Sequence, residues 1–291
     1  MWHILDGGAM IGLNQLEVMM RLLQSVTIKL PQKMPLAGFP YTVPFVKTTE
    51  QVTFSAPITF LVGENGSGKS TFLEMIACAI GSITVGAEPV STDKTLAPIR
   101  QFADAHLKLV WSKRTKKGFF MRAEDFFGYA KRMAQIQTEL QSDLADVDEE
   151  YAGKSAFTRA LAELPYKREL HEMNQSYGDG LDANSHGEGF FKLFQRRFVG
   201  EGVYLLDEPE APLSPNRQLA FLVMLKDMIG RGGQFIIATH SPILLAYPNA
   251  TILNFDEGHI RPIAYDDLEH VTVTRNFLNN PQAYLRHLFE D

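Results

Sequence analysis

A glycine-rich loop between an apolar run and a helix-forming run constrains this chain most. The loop, residues 63–70, reads GENGSGKS and fits the spacing G-x-x-x-x-G-K-S/T without a mismatch. The apolar residues 58–62 before it predict a buried strand, and residues 71–77 after it predict a helix. Strand, loop and helix in this order are typical of a phosphate-binding loop, because backbone N–H groups converge there at a helix N-terminus.

The residue types of this loop favour a nucleoside triphosphate together with a divalent cation. Its glycines let the backbone turn tightly and approach a ligand without a Cβ atom in the way. Lys69 is expected to reach the β- and γ-phosphates, and the Ser70 hydroxyl to ligate Mg²⁺. The predicted nucleotide-binding residues of the loop are Gly63, Glu64, Asn65, Gly66, Ser67, Gly68, Lys69, Ser70 and Thr71.

Two adjacent carboxylates follow a second apolar run. Residues 203–206 predict a buried strand, and Asp207 and Glu208 come directly after it. Asp207 is expected to help hold Mg²⁺, directly or through water. Because neighbouring strand residues alternate between faces, Glu208 is expected to point differently and to polarise the water that attacks the γ-phosphorus.

A histidine ends a third apolar run. Residues 235–239 predict a strand, and His240 lies at its carboxyl end, where open α/β sheets bind their ligands. An imidazole at this position can hydrogen-bond the γ-phosphate and respond to its presence. The predicted catalytic residues are therefore Lys69, Glu208 and His240.

Helix and strand patterns alternate from residue 190 onward, which predicts an α/β fold with a mainly parallel sheet flanked by helices. Short strand-like runs at 26–30, 41–47 and 52–55, separated by prolines, predict an N-terminal antiparallel β part. Residues 125–172 are rich in Ala, Leu, Glu and Gln and predict an inserted helical subdomain.

Between these elements we predict two loops and a hairpin. Residues 81–100 and 173–188 are polar and glycine-containing, which is typical of loops. Residues 107–111 and 119–124 predict two strands that the basic segment 113–118 joins as a hairpin.

The two ends of the chain give weaker patterns. Residues 1–24 predict either a short amphipathic helix or a poorly ordered leader. Near the C-terminus, Pro281 is a favourable first residue for a helix. The side chains of that helix expected to face the core are Tyr284, Leu285, Leu288 and Phe289.

Composition excludes several classes of protein. The net charge of -6 provides no overall basic field for nucleic acid, although a local basic patch would escape this test. A single cysteine excludes a disulfide framework. No apolar run reaches the roughly 20 residues of a membrane span, and no basic segment followed by an apolar one marks a signal peptide. We therefore expect a soluble, cytoplasmic protein.

The three motifs, in this order, resemble those of the ABC-type ATPases. The resemblance rests on residues 63–70, on Asp207-Glu208-Pro209 and on residues 239–242, with the histidine 33 positions after Asp207. It implies a P-loop NTPase fold with ATP and Mg²⁺ as ligands. It also implies a nucleotide-dependent homodimer with two ATP molecules at the interface.

Three further sites are implied by the resemblance alone. Residues 184–188, NSHGE, occupy the place of the family's signature loop, so that Ser185 and Gly187 would contact the γ-phosphate held by the other subunit. Glu124 would stand in for the glutamine that links Mg²⁺ to the helical subdomain, and Gln101 is the alternative. Tyr41 is either an adenine-stacking aromatic or a core residue.

Residues 207–215 resemble the soluble branch of this family, which includes SMC-like and stand-alone AAA-labelled ATPases. Ser214 stands where transporter ATPases usually have Asp. The resemblance implies an ATPase coupled to DNA or a partner protein in repair or phage defence. The alternatives are the ATP-binding subunit of a membrane transporter and a slow regulatory switch.

We expect the chain to divide into five parts. These are a leader or helix (1–24), a nucleotide-binding lobe (25–124), a helical subdomain (125–184), a lobe with the signature loop, the carboxylates and the histidine (185–260), and a helical tail (261–291).

Overall fold

The buried strand before the glycine-rich loop lies inside a six-stranded sheet. This strand, β3 (Ile58–Val62), has all of its side chains buried and pairs in parallel with a neighbour on each side. Burial on both faces is typical of a central strand in a parallel sheet. The computed structural model describes residues 21–31, 37–85, 90–177 and 186–289.

The other strands of this sheet are β5 (Phe120–Arg122), β6 (Val203–Asp207), β7 (Gln234–Ala238), β8 (Thr251–Asn254) and β9 (Arg261–Pro262). Their order across the sheet is β5-β6-β7-β3-β8-β9. Every neighbouring pair is parallel except β8 and β9, which are antiparallel. The predicted α/β fold with a mainly parallel sheet is confirmed.

A smaller antiparallel sheet forms the predicted N-terminal β part. It consists of β1 (Leu23–Ile28), β2 (Gln51–Thr53) and β4 (Leu107–Trp111), with β1 in the middle. The buried Gln234 side chain joins the two sheets, because its Oε1 accepts hydrogen bonds from the backbone N–H groups of Leu22 and Leu23 at 3.0 and 2.7 Å. Its Nε2 donates to the Leu23 carbonyl at 2.8 Å.

Helices cover both faces of the large sheet. On one face lie α2 (Lys69–Ile80) and the small sheet, and on the other lie α6 (His186–Arg197) and α7 (Pro215–Gly230). Alternate side chains of β6 reach the two cores accordingly: Leu205 packs on the α2 side and Tyr204 on the opposite side. The remaining helices are α1 (Pro44–Thr48), α3 (Ala97–His106), α4 (Ala123–Glu150), α5 (Ala156–Tyr177), α8 (Pro242–Leu245), α9 (Glu269–Asn279) and α10 (Pro281–Phe289).

The long helices α4 and α5 pack against each other and confirm the predicted helical insertion. Beside the turn between them, the Arg159 guanidinium donates to Asp148 at 2.8 Å and to Glu163 at 2.9 Å. Within the described residues, no helix is both long and apolar enough to cross a bilayer.

The predicted hairpin between residues 107–111 and 119–124 is wrong. β4 pairs with β1 in the small sheet, whereas β5 pairs in parallel with β6 in the large sheet. The side chains of Phe120 and Met121 are buried in opposite cores, which suits a parallel strand covered on both faces. The strand also ends early, because the Asp125 carboxylate accepts a hydrogen bond from the Arg122 backbone N–H at 3.3 Å and begins α4.

Three other segments differ from their sequence predictions. Residues 41–47 form a turn and α1 instead of a strand, since a proline at the first position of α1 presets a helical backbone. Residues 97–100 are helical, because α3 begins there with a proline in its first turn. The predicted loop 173–188 is helical as far as Tyr177 and again from His186.

The C-terminal helix begins at Pro281 as predicted, but its apolar side chains do not face the core. Leu288 and Phe289 are 72% and 80% exposed, and Tyr284 and Leu285 are half-buried. The reason is that α10 contacts α9 and lies away from the large sheet. Of the predicted leader or helix (1–24), residues 1–20 lie outside the described residues, and the last two residues, 23 and 24, belong to β1 instead.

Gly118 is expected to be required for the insertion of β5 beside β6. Its φ is +112°, and an added Cβ atom would lie 1.8 Å from the carbonyl oxygen of Val203. Gly118→Ala should therefore lower the free energy of unfolding by more than about 2 kcal/mol in urea denaturation.

The matched control is Gly128→Ala on α4, where an added Cβ atom meets nothing within 4 Å. This change should leave stability unaltered or raise it by up to about 1 kcal/mol, because alanine favours helices. Equal unfolding midpoints for the two variants would contradict this account of Gly118.

Candidate active site

The glycine-rich loop leaves β3 and enters α2 at Lys69, as predicted. Gly68 is the N-cap of α2 with a φ of +104°, and an added Cβ atom would lie 2.6 Å from Val43 and 2.7 Å from Phe45. The segment before β2 therefore packs directly on the loop, and both backbone conformation and space require glycine at this position.

The Lys69 side chain folds back over the loop. Its Nζ donates hydrogen bonds to the carbonyl oxygens of Gly63 at 2.6 Å and Glu64 at 3.0 Å. Burial lowers the pKa of Lys69, while Asp207 and Glu208 act in the opposite direction. The amine is thus held beside the loop and close to carboxylates, where it can meet phosphate oxygens that enter the loop.

Ser70 and Asp207 are brought together, as the sequence predicts. The Ser70 hydroxyl donates a hydrogen bond to the Asp207 carboxylate at the end of β6. Burial raises the pKa of Asp207 to about 6, although the bond from Ser70 opposes this rise. A hydroxyl and a carboxylate are oxygen donors of the kind that Mg²⁺ takes in nucleotide sites, so these residues fit the cation.

A cavity of about 350 Å³ opens beside this pair. Glu124, in the first turn of α4, lines it together with Ser70 and Asp207, although its side chain is 77% exposed. Gln101 is exposed on α3 and does not line this cavity. Of the two residues considered for the link to the helical insertion, only Glu124 lies at the candidate cation site.

Glu208 lies between two cavities. It lines the 350 Å³ cavity beside Asp207 and also an open cavity of about 860 Å³ in front of the glycine-rich loop. Its backbone is in the left-handed region with a φ of +49°, and its N–H donates to the Ala238 carbonyl at 2.9 Å. The chain therefore turns at Glu208 and no longer follows the direction of β6.

His240 follows β7 and lines the same 860 Å³ cavity. A carboxylate that the sequence analysis missed, Glu210, holds its backbone. Glu210 Oε1 accepts hydrogen bonds from the Thr239 hydroxyl at 2.6 Å and from the His240 N–H at 2.8 Å. Burial raises the pKa of Glu210. The position of Glu210 three residues after Asp207 was visible in the sequence, but only the fold places it beside His240.

Neither the two signature-loop residues nor Tyr41 is among the described residues that line the two cavities at the glycine-rich loop. Ser185 lies outside the described residues, and Gly187 lies in the first turn of α6. Tyr41 packs edge-on against Phe102, and its hydroxyl lies 2.9 Å from His106 Nε2. The ring of Tyr41 is therefore engaged within the N-terminal part of the molecule.

Arg122 forms an ion-pair centre that sequence reasoning also missed. Its guanidinium contacts four carboxylates, at 3.0 Å for Asp125, 3.1 Å for Asp93 and 3.6 Å for both Glu74 and Glu124. Since Arg122 lies opposite Asp207 in the register of β5 and β6, this centre joins the start of α4 to the candidate cation site.

Glu74 stands out in this network because burial raises its pKa to about 7, with Arg122 acting in the opposite direction. A raised carboxyl pKa means that the folded state binds the proton more tightly than the unfolded state. Stability should therefore fall as the pH rises from about 5 to about 7.

Glu74→Gln should remove this pH dependence, since the amide is neutral throughout and Arg122 keeps three other carboxylates. Relative to wild type, its free energy of unfolding should rise by about 1 to 3 kcal/mol between pH 5 and pH 8. Urea denaturation across this range measures the difference, and the exposed variant Glu50→Gln is the control. Parallel pH profiles for wild type and Glu74→Gln would contradict the assigned pKa.

Two family models match the sequence. Residues 43–104 match one described as "AAA domain", and residues 98–246 match one described as "AAA domain, putative AbiEii toxin, Type IV TA system". The second match spans more than half of the 291 residues. The chain belongs to this AAA-domain family. This confirms the predicted AAA-labelled P-loop ATPase, a class that typically binds ATP with Mg²⁺. No curated protein matches this AAA-domain sequence.

Solved structures give a more distant likeness. The ADP conformation of MJ1267, an ATP-binding cassette of an ABC transporter, is 15% identical and has a TM-score of 0.43, with 93% of this chain and 99% of that chain covered. The Smc head domain from Pyrococcus furiosus, bound to the C-terminal domain of ScpA, is 10% identical and has a TM-score of 0.44, with 90% and 100% covered. Because these TM-scores lie below 0.5, the family assignment rests on the sequence match.

Proposed function

We propose that this AAA-domain protein binds ATP with Mg²⁺ and hydrolyses it, and that two copies close on two nucleotides. The observation that supports this most strongly is the convergence of Lys69, the Ser70–Asp207 pair, Glu208 and His240 at one edge of the large sheet. The carboxyl ends of parallel strands are where α/β sheets bind ligands.

In this proposal, the loop from Gly63 to Thr71 holds the phosphates through its backbone N–H groups, and Lys69 neutralises charge on the β- and γ-phosphates. Ser70 and Asp207 would hold Mg²⁺, with Glu124 at the edge of the same cavity. The cation, when bound, supplies positive charge against the phosphate oxygens. These residues position and neutralise the triphosphate and form no covalent bond with it.

Glu208 would take the proton of the attacking water, because its carboxylate borders both the cation cavity and the open cavity. His240 would donate a hydrogen bond to the γ-phosphate. Glu210 keeps this imidazole in place, since it fixes the His240 N–H and the preceding hydroxyl. Loss of the γ-phosphate removes the contacts of Lys69 and His240 and thereby releases the closed state.

Dimer closure is proposed because the loop and His240 face an open cavity of about 860 Å³, which leaves the nucleotide accessible from one side. Ser185 and Gly187 of a second copy would cover it, in line with the resemblance to ABC-type ATPases. Each nucleotide would then contact both subunits, so that affinity between the subunits depends on the γ-phosphate.

Glu208→Gln should bind ATP normally, since the amide keeps the shape of the carboxylate but cannot accept the proton. Turnover should fall by about 10²- to 10⁴-fold. With ATP and Mg²⁺ the variant should double in mass in light scattering, because the closed dimer is no longer opened by hydrolysis. Lys69→Ala, which loses the phosphate contact, should neither bind ATP nor dimerise.

Glu50→Gln, at an exposed carboxylate directly before β2, is the matched control and should behave as wild type. Turnover by Glu208→Gln at the wild-type rate would remove Glu208 as the base. Unchanged ATP affinity in Lys69→Ala would contradict nucleotide binding by the loop.

The description of the matched family names a toxin of a type IV toxin–antitoxin system. This favours a stand-alone role in defence, through a partner protein, over the ATP-binding subunit of a transporter. The basic segment 113–118 is the candidate contact for DNA, and two of its four cations are engaged, because Lys113 pairs with Glu201 at 2.6 Å and Lys117 lies 3.9 Å from the same carboxylate. Because the net charge of -6 also provides no overall basic field, a protein partner is favoured over DNA.

Duplex DNA should accordingly leave ATP turnover unchanged at 150 mM salt, because the net charge of -6 provides no overall basic field and Glu201 neutralises part of the basic segment. Steady-state turnover with and without DNA measures this, and Glu201→Gln, which frees both lysines, is the informative comparison. Salt-sensitive stimulation of the wild-type protein by DNA would contradict the preference for a protein partner.

A further inference from the structure

A second histidine, His270, lines the 860 Å³ cavity in front of the glycine-rich loop. It is the second residue of α9, and it shares this cavity with Gly63, Glu64, Glu208 and His240. The centroids of the His240 and His270 rings are 6.3 Å apart, with an angle of 67° between the ring planes. No motif of the sequence analysis included this residue.

Both imidazoles hold a shielded nitrogen without a protein partner. Within residues 21–31, 37–85, 90–177 and 186–289, Nε2 of His240 and Nε2 of His270 make no hydrogen bond although solvent does not reach them. A polar atom in this state is costly unless a ligand satisfies it. Two such atoms at one cavity beside a phosphate-binding loop indicate a ligand with several acceptor oxygens.

The position of His270 relative to His240 is fixed by the fold. Leu268 and Val271, on either side of His270, are buried in the core beneath α6 and α7. The Tyr265 hydroxyl donates to the Pro242 carbonyl at 3.0 Å, which ties the C-terminal segment to the residues directly after His240. The two rings are therefore anchored to the same part of the structure.

Charge around His270 suits an anion-responsive group. Burial lowers the pKa of His270, with His240 and Lys69 acting in the same direction and Asp256 and Glu64 in the opposite one. A neutral ring can lie near His240 and Lys69 without strong repulsion. The negative charge of a triphosphate would favour the protonated, donating form of the ring.

We propose that His270 is a second γ-phosphate contact, which acts beside His240 and makes α9 part of the active site. This inference rests on the proposed function, because it assigns one more residue to the same nucleotide site. His270 would then contact the γ-phosphate, which is the group that distinguishes ATP from ADP.

The test is the affinity of the full-length protein for ATP and for ADP, each with Mg²⁺, measured by calorimetry on wild type, His270→Ala and His270→Gln. His270→Ala should weaken ATP binding by about 10-fold and leave ADP binding unchanged, since one hydrogen bond to a charged group is lost. His270→Gln should recover part of the ATP affinity, because its amide can donate to the same oxygen. His259→Ala, an exposed histidine outside the cavity, is the control.

Equal losses of ATP and ADP affinity, or no loss of either in a folded His270→Ala protein, would overturn the role of His270 and leave the proposed function intact. If wild-type protein bound neither nucleotide, the proposed function would fail and the role of His270 with it. Thermal unfolding of each variant separates loss of the γ-phosphate contact from loss of α9 packing.

Discussion

Parallel pairing of β6, β7 and β3 is the constraint on which the rest of the site depends. The register places Asp207 opposite Ala238, and Ala238 opposite Leu61, so that three strands end at the same level. One or two residues later the chain provides Glu208, His240 and Gly63. A shift of one residue in either pair would turn the buried side chains of the strand towards the wrong face. The apolar cores on both faces therefore fix the positions of the polar groups at the edge.

The edge of the sheet at which β6, β7 and β3 end carries more negative than positive charge. Asp207, Glu208 and Glu210 lie near a single buried amine, Lys69, and the pKa values of Asp207 and Glu210 are raised because burial disfavours their charged forms. In the proposed mechanism, Mg²⁺ would relieve this repulsion and the triphosphate would satisfy Lys69, so neither ligand would bind as well alone. The same reasoning extends to the two shielded histidine nitrogens, whose partner would be the terminal phosphate.

The sequence was most informative where local chemistry requires particular residues. The glycine-rich loop was predictable because its positive φ values require glycine, and the parallel sheet because its buried strands are apolar runs. The Ser70–Asp207 pair was predictable because Asp207 directly follows one of these runs, at the carboxyl end of a strand. The hairpin prediction failed because a short strand such as β5 carries no local sign of its partner, and its place beside β6 depends on Gly118 approaching Val203. Arg122, Glu210 and His270 were missed for a related reason, because their contacts join residues on different elements and only the fold brings them together.

A crystal structure with Mg²⁺ and a non-hydrolysable ATP analogue would test the central claim most directly. The account predicts that the triphosphate lies along the backbone N–H groups of residues 63–71, with Lys69 Nζ at the terminal phosphates. The Ser70 hydroxyl should coordinate the cation at about 2.1 Å. A nucleotide bound elsewhere on the molecule, or a cation held in the loop without Ser70, would contradict it.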